Sequence, residues 1–299
     1  MTLAQLIQQE RLPADFTETV DRYYRPLAER VAAGCKEKPD QSILLGINGG
    51  QGTGKSTMAL FLRHLLEKEH ELKVAVLSID DLYLTREERI RLGEKVHPLL
   101  KTRGVPGTHD PQLGLEVIEK LMQAGAGEET PLPRFNKAVD DRVPEEEWPV
   151  FEGRAHVVIL EGWCVGATPQ PDAAIIPAAN PLEEEEDAEA IWRRHVNDQL
   201  AGPYRPLFER IDALILLKAP SMACIRAWRG EQEDKLREKM KATGGDMSQV
   251  MDEAQLDRFI AHYQRLTEHQ WQVLPMTADA VLELGEDHRI KAMNWKEGS

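Results

Sequence analysis

The stretch Gly49-Gly50-Gln51-Gly52-Thr53-Gly54-Lys55-Ser56-Thr57 packs glycines, a lysine and hydroxyls into one short segment and fits G-x-x-x-x-G-K-[ST]. Glycines permit positive φ and let backbone N–H groups approach phosphate oxygens. A helix beginning near Lys55 adds its N-terminal donors and dipole. In that frame Lys55 reaches the β- and γ-phosphates, Ser56 ligates Mg²⁺ and Thr57 binds a phosphate oxygen. The segment Gly49, Gly50, Gln51, Gly52, Thr53, Gly54, Lys55, Ser56, Thr57 is read as a nucleotide site. What the nucleotide is used for must come from other residues.

Two further places carry carboxylates where such a site needs them. Val158-Ile-Leu-Glu161-Gly162-Trp163 ends an apolar run in Glu161, placed to hold Mg²⁺ through water. Ser78-Ile79-Asp80-Asp81-Leu82-Tyr83 ends another in two aspartates, and one of them faces the nucleotide. A carboxylate there takes the proton of an attacking hydroxyl, as a small-molecule kinase requires. Asp80 is favoured as that base, with Asp81 the alternative. A switch GTPase is excluded: D-x-x-G is absent, and Asn136-Lys137-Ala138-Val139-Asp140 misses N-K-x-D by one residue.

These residues need a scaffold. Five apolar runs without alternation read as strands buried on both faces: 42–48, 73–79, 156–160, 213–217 and, more weakly, 280–284. Helical stripes lie between them, at 58–69 and at Leu256, Phe259, Ile260, Tyr263 and Leu266. Alternating strands and helices predict a parallel sheet covered on both faces. Residues 1–38 read as a helical N-terminal extension interrupted at Pro13, and 34–40 as a linker. Two long gaps stand out. Residues 80–154 connect the second and third strands by a Pro- and Gly-bearing route with a helix at 113–122. Residues 165–188 hold Glu183-Glu-Glu-Glu-Asp187, read as a solvated acidic loop and helix start.

The bulk properties narrow the function classes. Lys and Arg number 37 against 51 Asp and Glu, a net charge of −14, which argues against a broad nucleic-acid surface. No apolar run reaches membrane-span length. The first ten residues lack a basic region followed by an apolar core, and Cys35, Cys164 and Cys224 are scattered, so the reading is a cytoplasmic chain without disulfides. Cys164, Trp148, Trp163 and Trp192 are read as packing residues.

The motifs then resemble a family. The glycine-rich loop, Asp80-Asp81-Leu82-Tyr83, Arg103-Gly-Val-Pro-Gly-Thr-His109-Asp110, Pro133-Arg134-Phe135-Asn136-Lys137 and Leu160-Glu161-Gly162-Trp163 follow the order seen in glycerate 3-kinases. Residues 195–200 with Tyr204, and Ala227-Trp228-Arg229 with Glu231-Gln232-Glu233, extend the likeness over roughly 43–271. The chain is also similar to the wider uridine kinase, phosphoribulokinase and pantothenate kinase group, and looks like a bacterial-type member of the glycerate branch. The resemblance implies Asp80 as catalytic base, Glu161 near Mg²⁺, and an acceptor side lined by Arg103, His109, Asp110, Arg134 and Lys137. It also implies a lid over the phosphates in which Arg226 or Arg229 acts, a role worth about 10³ or more in rate. Asn136 departs from the aspartate of the family pattern, and the connection at 241–251 with Gly244-Gly245 differs too.

Together these readings give a P-loop NTPase fold with a five-stranded parallel sheet, order 2-3-1-4-5 by analogy with the relatives. Residues 39–299 form the kinase domain, with the acceptor crossover at 80–154 and the lid at about 224–252. The expected activity is ATP- and Mg²⁺-dependent phosphorylation of a small hydroxyl acceptor, D-glycerate first. Its carboxylate calls for an arginine fork, for which Arg103, Arg134 and Arg142 are the candidates. A pantothenate- or nucleoside-type acceptor, or a non-catalytic ATP-binding regulator, are the alternatives. Catalysis is assigned to Asp80, Lys55 and Arg229.

Overall fold

The structure is a computed structural model that describes residues 1–243 and 250–296. Its centre is a six-stranded sheet built from β1 (Ile43–Gly49), β2 (Val74–Ser78), β7 (Val157–Gly162), β8 (Ala213–Lys218), β9 (Ala280–Leu284) and β10 (Ile290–Trp295). The order across it is β10-β9-β8-β1-β7-β2. Five strands run parallel, and β10 returns antiparallel to β9. The five-stranded expectation is thus corrected to six. β10 escaped notice because Ile290-Lys-Ala-Met-Asn-Trp295 alternates on a half-exposed edge and does not form an apolar run.

Alternation within each strand divides the interior into two cores. Leu45, Ile47, Val157, Ile159, Ile215 and Leu217 face one side, while Leu44, Val158, Leu160, Leu214 and Leu216 face the other. The first side is covered by α3 (Arg25–Glu37) and α4 (Lys55–Glu69), with the N-terminal α1 (Leu3–Gln9) and α2 (Phe16–Thr19) beside them. A single π-helical turn, Val20–Tyr24, joins α2 to α3. The linker expected at 34–40 begins later, because α3 runs on through Gly34 and Cys35 to Glu37. Gly34 lets that helix lie close to β1: a Cβ there would stand 3.2 Å from the Ile43 side chain.

The crossover after β2 carries α5 (Arg86–Lys95) and α6 (Pro111–Gln123). It also carries two small antiparallel pairs, β3 (Glu129–Pro131) with β6 (Val150–Glu152), and β4 (Phe135–Asn136) with β5 (Asp141–Arg142). Between β7 and β8 run α7 (Asp172–Ile175), α8 (Pro181–Glu186), α9 (Ile191–Ala201) and α10 (Arg205–Glu209). The acidic run here is not simply solvated. Glu183 is fully buried and bonds Arg265, and Asp187 caps α9 and pairs with buried Arg193. Arg265, distant in sequence, and the nearby Arg193 neutralise what looks like a surface charge run. α11 (Met222–Thr243) and α12 (Glu253–Val273) close the fold, while the Gly244-Gly245 connection lies outside the described residues.

Candidate active site

The glycine-rich loop sits where β1 ends, with β7 on one side and β8 on the other. This reversal of strand order opens a crevice at the C-terminal edge of a parallel sheet. Gly52 and Gly54 take φ +79° and +86°, in the left-handed region that favours glycine. A Cβ on Gly52 would stand 2.9 Å from Trp228, so the loop is also packed tightly against α11. Thr53 Oγ1 donates to the Gly50 carbonyl at 2.8 Å, and α4 begins at Lys55 with Gly54 as its N-cap. The backbone is therefore bent into a concave donor loop.

A cavity of about 930 Å³ opens over this loop. Its lining brings together Gln51 to Thr57, Asp80, Tyr83, Arg103, Lys137, Glu161, Trp163 and Arg229. The Ser56 hydroxyl donates to Glu161 Oε1 at 2.9 Å, while Glu161 Oε2 is buried without a partner. A hydroxyl and an under-satisfied carboxylate beside a phosphate loop form a hard-oxygen donor set that fits Mg²⁺, an ion that shares its coordination with phosphate and water. Among the described residues no group of three or more His, Cys, Asp or Glu could hold a metal alone.

The two adjacent aspartates face opposite ways. Asp80 lines the cavity; its Oδ2 accepts from Lys137 Nζ at 2.6 Å and its Oδ1 from the Tyr83 hydroxyl at 3.0 Å. Burial would raise its pKa, but Lys137, Lys55 and His109 outweigh burial and hold the carboxyl below its ordinary value. Asp81 turns away, accepting from Arg134 at 3.0 Å and from the Phe135 N–H at 3.1 Å. Burial, with Asp80 adding to it, pushes Asp81 up. Asp81 thus ties β4 to the end of β2, and Asp80 alone meets the cavity.

The acceptor-side candidates are divided in the same manner. Arg103 and Lys137 line the cavity. Arg103 is ion-paired with Asp140 and lies over the Phe135 ring. Arg134 is engaged with Asp81, and Arg142 bonds the Tyr83 carbonyl. Asp110 caps α6 by accepting from the Leu113 N–H at 3.0 Å. His109 is buried behind Tyr83, its ring stacked on the tyrosine with centroids 4.4 Å apart. The Tyr204 hydroxyl accepts from the backbone N–H groups of Gly107 and His109, so its single proton goes to His109 Nδ1 at 2.7 Å. The ring proton of neutral His109 then sits on Nε2, which is buried without a partner. Burial lowers the His109 pKa to about 4. None of His109, Asp110, Arg134 and Arg142 lines the cavity. His109, Arg134 and Arg142 each meet a partner far along the chain, which local spacing does not reveal, and Asp110 is taken up by the helix it starts.

On α11, Arg229 reaches the cavity, ion-paired with buried Glu233 and lying over Phe259. Arg226 pairs with Asp257 outside it. Several lining residues have no site role assigned from the sequence. Tyr83 was legible inside Asp-Asp-Leu-Tyr. Tyr263 and Phe259 read only as a core stripe. Phe16 and Tyr24 from the N-terminal helices, and Asp287 to Ile290 from the β9–β10 turn, carry no local signal. Cys164 is buried, and burial pushes its thiol pKa far up, consistent with packing.

Comparison with known proteins finds three informative relatives. The uncharacterised kinase mug58 of Schizosaccharomyces pombe is 32% identical over 235 residues, 76% of this chain and 80% of that protein. The chloroplastic D-glycerate 3-kinase of Arabidopsis thaliana is 30% identical over 228 residues, 74% of this chain. The match takes in 46% of the plant enzyme, so the chain spans about half of its length. Among solved structures, D-glycerate 3-kinase from Cryptococcus neoformans var. grubii serotype A superposes with a TM-score of 0.71 at 24% identity. That superposition covers 91% of this chain and 97% of the other, and it speaks for the fold. No family model matches.

Proposed function

We propose, from the premise that this chain belongs to the glycerate 3-kinase-like P-loop kinases, that it phosphorylates a hydroxyl of D-glycerate. As a member it is an ATP-dependent small-molecule kinase; the acceptor is our reading. The observation that carries it is the composition of one cavity. A carboxylate able to take a hydroxyl proton, Asp80, is flanked by the cations Lys137 and Arg103 and faces Lys55, Ser56 and Glu161. Cations beside a proton acceptor suit a small anionic hydroxy acid. The lining also holds the rings of Tyr83, Trp163, Phe259 and Tyr263, so it is the cations beside Asp80 that favour an anionic acceptor over a nucleoside.

In this reading the loop from Gly49 to Thr57 cradles the phosphates, and Lys55 reaches the β- and γ-phosphates. Ser56 and Glu161 would hold Mg²⁺, which supplies charge neutralisation when bound. Asp80 takes the hydroxyl proton as the hydroxyl oxygen bonds to the γ-phosphorus and the bond to the departing ADP oxygen breaks, its electron pair leaving with ADP. Arg229, held by Glu233, offers positive charge to the transferred group. Arg103 and Lys137 hold the acceptor carboxylate.

The test is ADP release by the purified chain with Mg²⁺-ATP against D-glycerate, L-glycerate, pantothenate, uridine and ribulose 5-phosphate. Turnover with D-glycerate alone is expected. Turnover confined to another acceptor would replace the acceptor assignment, and ATP binding with silence on all five would remove it.

A further inference from the structure

Asp80, the candidate base, is already occupied on both oxygens. An ammonium held at 2.6 Å stabilises the carboxylate and weakens it as a proton acceptor. Each oxygen keeps lone pairs for a further donor, but for Asp80 to take a proton readily the stabilisation by one of these partners has to be withdrawn. Tyr83 is fixed: it is buried, stacked on His109, edge-on to Phe135 and bridged to the backbone at residue 109. Lys137 is free to leave. It stands in the turn between β4 and β5, and its side chain is 58% exposed. The far side of that turn is clamped, since Asp140 is held by Arg103 and by fully buried Arg89. Turning the flexible stem of Lys137 is therefore enough to uncover Asp80, with Asp140 still held at the end of the turn.

Resting on the acceptor reading above, we propose that Lys137 is a specificity gate: it holds Asp80 when no acceptor is bound, and an acceptor carboxylate draws it off. Lys55 cannot serve in its place, because it belongs to the phosphate loop. A neutral polyol offers nothing to replace the lost ion pair, so it leaves Lys137 on Asp80. A carboxylate does replace it. The acceptor class that follows is a short hydroxy acid, whose hydroxyl reaches Asp80 while its carboxylate holds Lys137 close by. The gate also protects ATP from water. With Lys137 in place, Asp80 is a poor acceptor for a water proton, so transfer of the γ-phosphoryl group to water is suppressed until the acceptor arrives.

The experiment uses the full chain carrying Lys137→Met or Lys137→Arg. It measures Mg²⁺-ATP hydrolysis without acceptor, then KM for D-glycerate and for glycerol. Because Lys137 is exposed, both variants should melt like wild type. Lys137→Met is expected to raise acceptor-free hydrolysis several-fold, and Lys137→Arg, which keeps the charge, to raise it clearly less. Loss of a charged hydrogen bond should raise the D-glycerate KM of Lys137→Met about ten- to a hundredfold, while transfer to glycerol should rise, since nothing then holds Asp80 back. Acceptor-free hydrolysis in Lys137→Met that stays at or below wild type would overturn the gate, even if wild type phosphorylates D-glycerate. An equal rise in both variants would overturn it too. If wild type ignores D-glycerate but Lys137→Met hydrolyses ATP faster, the gate stands and the choice of acceptor falls.

Discussion

Asp80 and Asp81 are chemically identical neighbours that the fold sends into different work. The short 3₁₀ turn Ile79–Leu82 after β2 points one side chain at the cavity and the other at β4. Lys137, Lys55 and His109 then outweigh burial at Asp80, while burial prevails at Asp81. Asp80 therefore stays ionised at and well below neutral pH, the state a base must start from. Replacing Asp80 with Asn keeps the size and the Tyr83 contact but removes the proton acceptor. That variant should lose about 10²–10⁴-fold in kcat while Mg²⁺-ATP still binds. Steady-state kinetics beside equilibrium nucleotide binding check this, and unchanged turnover would sink the base assignment. The residue types here were legible from Asp-Asp-Leu-Tyr. The choice between the two aspartates was not, because it depends on Lys137 and Phe135, which lie more than fifty residues away along the chain.

At the scale of elements, the crossover folds back on the end of β2. Leu84 N–H donates to the Thr108 carbonyl at 2.9 Å and Asp110 N–H to the Leu82 carbonyl at 2.7 Å, placing His109 against Tyr83. His109 thus supports the wall of the site and stays neutral. The sign of its pH effect follows. Its pKa falls from 6.5 unfolded to about 4 folded, so between those values the unfolded chain binds more protons. Stability is undiminished above the unfolded value and is lost as pH falls through that window, by at most about 3 kcal/mol. Melting temperatures of wild type and His109→Gln at about pH 7 and about pH 5 test this. The wild type should lose more on acidification than the variant, and equal losses would show that His109 is not the group responsible. The Arg-Gly-x-x-Gly-Thr-His-Asp segment was recognisable as a unit. Its orientation was not, because Tyr204 and Tyr263 fix it from other elements.

For the whole molecule, the N-terminal helices read as an extension, yet they are built into one of the two cores. Leu6, Val20, Tyr23, Tyr24, Leu27 and Val31 are all buried there. Phe16 and Tyr24 pack on Phe61 of α4, with ring centroids 5.2 and 6.2 Å away. Burying one large apolar side chain contributes about 1.5–3 kcal/mol. Losing half a dozen of them is comparable to the about 5–15 kcal/mol by which a domain is stable. A chain starting at residue 39 is therefore expected not to fold. Circular dichroism melts of that truncation check it; a cooperative transition with retained ATP binding would show that the helices are dispensable. Among the described residues no helix is long and apolar enough to cross a membrane.

The sequence alone determined the phosphate loop and the doubly covered parallel sheet. Both depend on local rules: glycine at positive φ, a lysine and a hydroxyl at a helix start, and apolar runs with no polar face. Tertiary structure alone decided which charges reach the cavity and which are taken up elsewhere in the fold. Arg103, His109, Asp110, Arg134, Lys137 and Arg142 are all charged or ionisable residues of one crossover, but of these six only Arg103 and Lys137 reach the cavity. The others meet Asp81, Tyr83, Tyr204 or the start of α6 first. A charge acquires its role from the partner it reaches, and in a long crossover that partner is set by the fold and not by the neighbouring residues.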